Sequence, residues 1–226
     1  MTRLGSKMPF KQAVEEVLLN QHSYVEESTL RRIAYLHGEA AEALERAEVE
    51  RLERETSSSA ATPRQLFVSA DGALIQLTTG EWTEVKTMAV GEFAGIWNAK
   101  KGRIQVKGKE ISYFSRSYRA REFERYALAE LQRRGIDNAE QVVTINDGAE
   151  WIQSFADYHF PKAVRILDFS HAMGYVSKAG QSVWGEGTKE FNPWYERPRH
   201  QLRHQPPQRT LSDLGFLSRK AKTDET

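Results

Sequence analysis

The stretch "QVVTINDGAEWIQSFADYHFPKAVRILDFSHA", residues 141–172, decides how the rest of the chain is read. An apolar, β-branched run over 141–147 stops at Asp147-Gly148. A helical stretch follows over 148–159, a second apolar run over 162–169, and helical spacing again over 170–184. Strand, helix, strand, helix in this order predicts parallel strands joined by crossover helices. A strand that ends at Asp-Gly also places a carboxylate where open α/β sheets keep their sites, beside a residue that lets the backbone approach a ligand closely.

Toward the N-terminus the pattern recurs, because "VSADGA" at 68–73 sets another apolar run against Asp71-Gly72. Residues 65–71, 82–93 and 110–116 read as three consecutive strands, with "NAKKGRIQVKGK" between the last two. Residues 118–135 switch to helical spacing, with Phe123, Ala127 and Leu131 four apart and Gly135 as a stop. The fold class expected is therefore α/β: a mixed sheet of three antiparallel strands followed by alternating strands and helices. Ahead of it, Ser28 is expected to cap a helix over 29–37 that Gly38 ends, a short helix-turn-helix with the preceding residues. A helix over 39–55 follows, with seven Glu against three Arg, a charge that avoids phosphates. The expected organisation is a helical segment at 1–55, a linker at 56–64, a core at 65–184, and a tail or partial helical insertion at 185–226 with one helix near "RTLSDLGFLSRKAK".

Composition sets the outer limits. The 226 residues, 39% hydrophobic and 28% charged, allow one or two cores, while a mean hydropathy of -0.63 requires long solvated stretches. There is no Cys, which excludes disulfides and thiolate metal sites and fits a reducing compartment; the cytoplasm is the expected location. No run of apolar residues approaches the roughly 18 that a membrane helix needs, and no leader is legible. A net charge of +1 leaves polyanion contacts to local patches.

If strands one and four are neighbours, Asp71 and Asp147 converge, and two carboxylates so close call for a cation between them. Mg²⁺, or Mn²⁺ in its place, takes oxygen ligands and is often held by one or two carboxylates plus substrate phosphates, which suits phosphodiester cleavage or strand transfer. The plainer alternative is that Asp-Gly marks two turns.

The order and wording of "VSADGALIQLTTGEWTEVKTMAVGE", "SYFSR", "VVTINDGAEWIQSFADYHFPKAVRILDFSHA" and "WGEGTKEF" resemble the ISKra-type insertion-sequence transposases, a Mutator-like branch of the DDE transposases with a ribonuclease H-like fold. The lead-in "GSKMPFKQAVEEV" and "ESTLRRIAYLHGEAAEALE" looks like the helical region before their catalytic core. The resemblance implies that Asp71 and Asp147 are the first two acids of the triad and metal ligands. It further implies that Asp168 and His171 match the fifth-strand motif near the active site. The third acid, a Glu on a helix beyond an insertion, has no counterpart, so the resemblance implies a copy truncated at its C-terminus. Glu186 is the internal substitute, 186 − 147 = 39 residues on.

Such a protein must hold double-stranded DNA at element ends and target. Lys100, Lys101, Arg103, Lys107 and Lys109 on one predicted hairpin supply cations for phosphates, as do Arg31 and Arg32 on an N-terminal helix. A solvated hairpin edge protected by Lys is the alternative. His200 and His204 sit four apart without an HExxH partner, so a metal role is not expected of them. With the resemblance, three functions remain open: a metal-dependent transposase, an inactive DNA-binding or transposase-binding fragment, and a compact nuclease completed by Glu186. A homo-oligomer is compatible with each, as is association with the nucleoid when bound to DNA.

Overall fold

A computed structural model describes residues 1–55 and 59–224. The linker expected at 56–64 therefore lies partly outside the described residues. By contacts the chain divides into two compact units: Met1–Thr62 with Tyr118–Asn138, and Pro63–Ser117 with Ala139–Thr226. No helix among the described residues is long and apolar enough to cross a membrane.

The first unit is helical. α1 (Thr2–Gly5) and α2 (Phe10–Gln21) pack on α3 (Glu27–Arg54) through Ala13, Val17 and Leu30, with Leu4, Met8, Phe10, Val14 and Val25 around them. α3 corrects the expected break, since it passes through Gly38 without interruption, and its N-cap is Glu26 rather than Ser28. One interior Gly costs about 1 kcal/mol relative to Ala. Pairs such as Glu27–Arg31 at 2.7 Å, Glu48–Arg51 at 2.7 Å and Glu50–Arg54 at 3.4 Å run along the helix and favour its continuation. α4 (Ala120–Arg133) joins this unit: Arg125 grips Glu53 through both carboxylate oxygens at 2.7 and 2.8 Å, and Arg46 donates to the Tyr126 hydroxyl at 3.2 Å.

The second unit is built on a five-stranded mixed sheet in the order β3-β2-β1-β4-β5. β1 (Gln65–Gln76), β2 (Trp82–Asn98) and β3 (Arg103–Arg116) are antiparallel neighbours, and β4 (Gln141–Asn146) and β5 (Val164–Leu167) run parallel to β1 and to each other. With its preceding helical segment, this is the strand order and direction of a ribonuclease H-like sheet. The crossover from β4 to β5 is α5 (Glu150–His159), which buries Ile152, Phe155 and Ala156. Alternation in β1 buries Leu66, Val68 and Ala70 on one face, and β2 places Lys86, Met88 and Val90 beside them. On the opposite face Phe67, Phe93, Val143, Ile145 and Ile166 line an apolar groove of about 470 Å³.

Two strand boundaries differ from the sequence reading. β1 does not stop at Asp71 but continues to Gln76, because β2 pairs with it down to Gln76 against Trp82. Likewise β2 and β3 extend into the segment read as connecting them, leaving only residues 99–102 as the tip. Beyond β5, α6 (Phe169–Trp184) and α8 (Gln208–Asp224) fall where helices were expected, while α7 (Phe191–His204) forms in Pro-rich text read only as a tail or partial helical insertion. α6 and α7 meet at Gly180, where a Cβ would run into the Trp194 ring and stand 2.9 Å from Phe191. Trp184 and Trp194 pack with ring centroids 4.8 Å apart.

Candidate active site

The β1–β4 ladder pairs Gln65 with Gln141 through Val68 with Thr144, a constant offset of 76. Two side chains carry that offset past the ladder's end. The Ser69 hydroxyl donates to the Ile145 carbonyl at 2.7 Å, and the Ala70 N–H donates to Asn146 Oδ1 at 2.7 Å. Carried one residue further, the same offset brings Asp71 level with Asp147, the residue that follows the end of β4 (71 + 76 = 147). The β4–β5 ladder has an offset of 21 from Val143–Val164 to Asn146–Leu167, and the Asp168 N–H donates to the Asn146 carbonyl at 2.7 Å. Carried one residue on, that offset brings Asp168 level with Asp147 (147 + 21 = 168), so in this row Asp147 and Asp168 follow directly on the ends of β4 and β5 while Asp71 lies within the longer β1.

The two Asp-Gly pairs do different work. Gly148 has φ +87°, a left-handed turn that a side chain would strain, and Asp147 Oδ1 accepts from the Ala149 N–H at 2.9 Å. Gly72 lies within extended β1, and its small size is needed for space. A Cβ there would run into the Glu84 carboxylate, whose Cδ would be 3.1 Å away. The Gly72 N–H donates to Asp71 Oδ1 at 2.8 Å. Asp71 is exposed and Asp147 half-buried, so the row opens to solvent. Asp168 caps α6, and the backbone N–H of His171 (3.1 Å) and then its ring Nδ1 (3.0 Å) hold the Asp168 carboxyl below its ordinary pKa.

Sequence reading missed the polar residues beneath this row. Lys86 is 5% exposed, pairs with the Glu84 carboxylate, and lies 5.5 Å from the centre of the Trp151 ring at the start of α5. Asn146 is 8% exposed and ties all three parallel strands through its side chain and carbonyl. The available signal was parity: Lys86 alternates with buried Met88 and Val90, and Asn146 with Thr144.

The donor set fits a hard divalent cation. It consists of oxygens, and in Asp71 and Asp147 one carboxylate oxygen is oriented by a backbone N–H. Among the described residues no group of three His, Asp or Glu side chains gathers closely enough to hold a metal by itself. Glu186 sits exposed between Gly185 (φ +82°) and Gly187 (φ +72°), with no hydrogen bond among the described residues.

The cations are distributed as follows. Lys100 and Lys101 occupy the exposed β2–β3 tip, while Arg103, Lys107 and Lys109 project from β3 in register with Asn98, Ala94 and Glu92. They therefore share one face of the hairpin, where Lys109 pairs with Glu92 at 3.0 Å. The reverse face is apolar, with Trp97 directly opposite Ile104 and both about two-thirds exposed. In the helical unit, Arg31 is engaged by Glu27 and lies 5.0 Å from the Phe10 ring, beside exposed Arg32. The His200 and His204 rings lie with centroids 4.8 Å apart on α7, tilted by 45°.

No curated protein matches the chain. The model of a family described as "Uncharacterised protein family (UPF0236)" matches residues 8–187, which include all of β1 to β5 and the carboxylate row. The chain belongs to the UPF0236 family.

Proposed function

We propose that this protein is a DNA transposase whose carboxylate row serves metal-dependent cleavage of double-stranded DNA and strand transfer. What supports the reading is the parallel register of β1, β4 and β5, whose offsets, carried past the ladders, bring Asp71, Asp147 and Asp168 to one level. Turn punctuation alone does not account for it, since Gly72 is not in a turn. Asp71 and Asp147 would hold Mg²⁺ or Mn²⁺, which when bound stabilises charge on phosphate oxygens and lowers the pKa of an attacking water or 3′-hydroxyl.

The chain's own residues supply the positioning. The Gly72 and Ala149 N–H groups orient the two carboxylates, and Asn146 fixes the strands that bear them. The cationic face of the β2–β3 hairpin, Lys100, Lys101, Arg103, Lys107 and Lys109, binds DNA phosphates on this reading, with Arg31 and Arg32 as further contacts. His171 orients Asp168. The protein would then act in the cytoplasm, on the nucleoid.

A second reading is favoured because, among the described residues, no three His, Asp or Glu side chains gather closely enough to hold a metal, Asp71, Asp147 and Asp168 included. On it, the chain binds DNA or a complete transposase without cutting. Incubation with supercoiled plasmid in Mn²⁺ separates the two. The transposase reading expects nicked or joined products that disappear in Asp71→Asn and Asp147→Asn. Binding without nicking supports the second reading, and nicking that survives Asp147→Asn refutes the first. Products lost on Glu186→Gln would transfer the third role to that exposed turn.

A further inference from the structure

Lys86 is the charged side chain buried beside the two Asp-Gly segments, and what it touches belongs to both. Its ammonium holds the Glu84 carboxylate, and that carboxylate fills the space where Gly72 lacks a Cβ. Gly72 in turn donates its N–H to Asp71. On the other side Lys86 lies over Trp151, in the first turn of α5, whose preceding residue Ala149 donates its N–H to Asp147.

We propose that Lys86 is a positioning residue that joins the strand segment carrying Asp71 to the turn carrying Asp147. The inference rests on the reading of Asp71 and Asp147 as a cation site, and deepens it. An ammonium suits the task because it binds a carboxylate and an aromatic face at once, while a neutral side chain of the same length reaches both and attracts neither. The same geometry explains Gly72, since any side chain there pushes Glu84 away from Lys86.

The test uses the full chain, with Mn²⁺ as the probe and amide exchange as a readout that needs no metal. Lys86→Met should weaken Mn²⁺ binding by roughly tenfold, as loss of an outer-shell partner does, and should speed exchange at both Gly72 and Ala149. Lys86→Arg should restore much of both. Gly72→Ala leaves Lys86 in place and displaces only the flexible end of Glu84; it should reproduce the loss of affinity and covers the case in which Lys86→Met does not fold. A folded Lys86→Met that binds Mn²⁺ like the parent, or that changes stability with Gly72 and Ala149 exchange untouched, overturns the proposal. If the parent itself shows no Mn²⁺ binding that depends on Asp71 and Asp147, the site reading fails independently of the link through Lys86. The exchange at Gly72 and Ala149 then still reports whether Lys86 links the two segments.

Discussion

Replacing Asn146 with Ala should loosen β1 from β4 while sparing β4 and β5. In the native chain the Ala70 N–H, on a residue only 4% exposed, is satisfied by Asn146 Oδ1 at 2.7 Å. The Asn146 carbonyl, which the substitution keeps, accepts from Asp168. Asn146→Ala therefore leaves one buried donor without its partner, at a cost of about 1–3 kcal/mol. For a domain of this size each kcal/mol lowers Tm by about 2–4 °C, which gives an expected drop of about 2–12 °C. Amide exchange reads the mechanism as well as the magnitude: Ala70 should lose protection and Asp168 should keep it. Asn146→Asp retains an acceptor oxygen and should hold the Ala70 amide, despite adding a charge beside the row. Unchanged stability and unchanged Ala70 exchange in Asn146→Ala would refute the claim that this side chain sets the register of the acids.

Other outcomes follow from single features. Gly148→Ala places a side chain at φ +87° with Leu167 3.2 Å from the new Cβ, and should cost about 1–2 kcal/mol in thermal or urea unfolding. Gly38→Ala fills open space on the middle of α3 and should stabilise the helical unit by about 0.5–1 kcal/mol, visible as a raised helical unfolding midpoint. His171 holds the Asp168 carboxyl below its ordinary value, so the stability this gives is complete above about pH 4 and is lost as pH falls through the lowered folded value. Acid titrations of the parent and of Asp168→Asn should accordingly differ above that range and converge below it. Neutralising Lys100, Lys101 or Arg103 to Gln should reduce the slope of log binding constant against log salt by about 1 for each phosphate no longer neutralised, measured by fluorescence anisotropy on duplex DNA.

The fold was legible because its strands and helices announce themselves by different periods. The run over 141–172 could be read as strand, helix, strand on apolar spacing alone, whereas the adjacency of β1 and β4 stood only as a condition until the ladder between them was seen. What misled was punctuation. Gly38 and Gly72 both read as ends, yet Gly38 lies inside a helix sustained by ion pairs, and Gly72 lies inside a strand where a neighbouring carboxylate needs the room. The α6–α7 packing was hidden for a related reason, because Pro193 and Pro198 obscure the helical text that the Gly180–Trp194 approach supports. Asp71 and Asp147 could be found from the two Asp-Gly pairs, although only Asp147 follows a strand end. For Lys86 and Asn146 parity pointed only to an inward side, and what they and Glu84 meet across strands is a matter of register, which a single sequence does not state.

Whether Asp71 and Asp147 hold a divalent cation is read without any DNA substrate from Mn²⁺-induced broadening of amide resonances in the full chain. The absence of Cys removes thiolate sites that would compete for the ion. Broadening should centre on residues 71–72, 147–149 and 168, and should be lost in Asp71→Asn and in Asp147→Asn while both variants remain folded. Broadening centred elsewhere, or persisting at this row after both substitutions, would contradict a cation site at the two strand-borne acids.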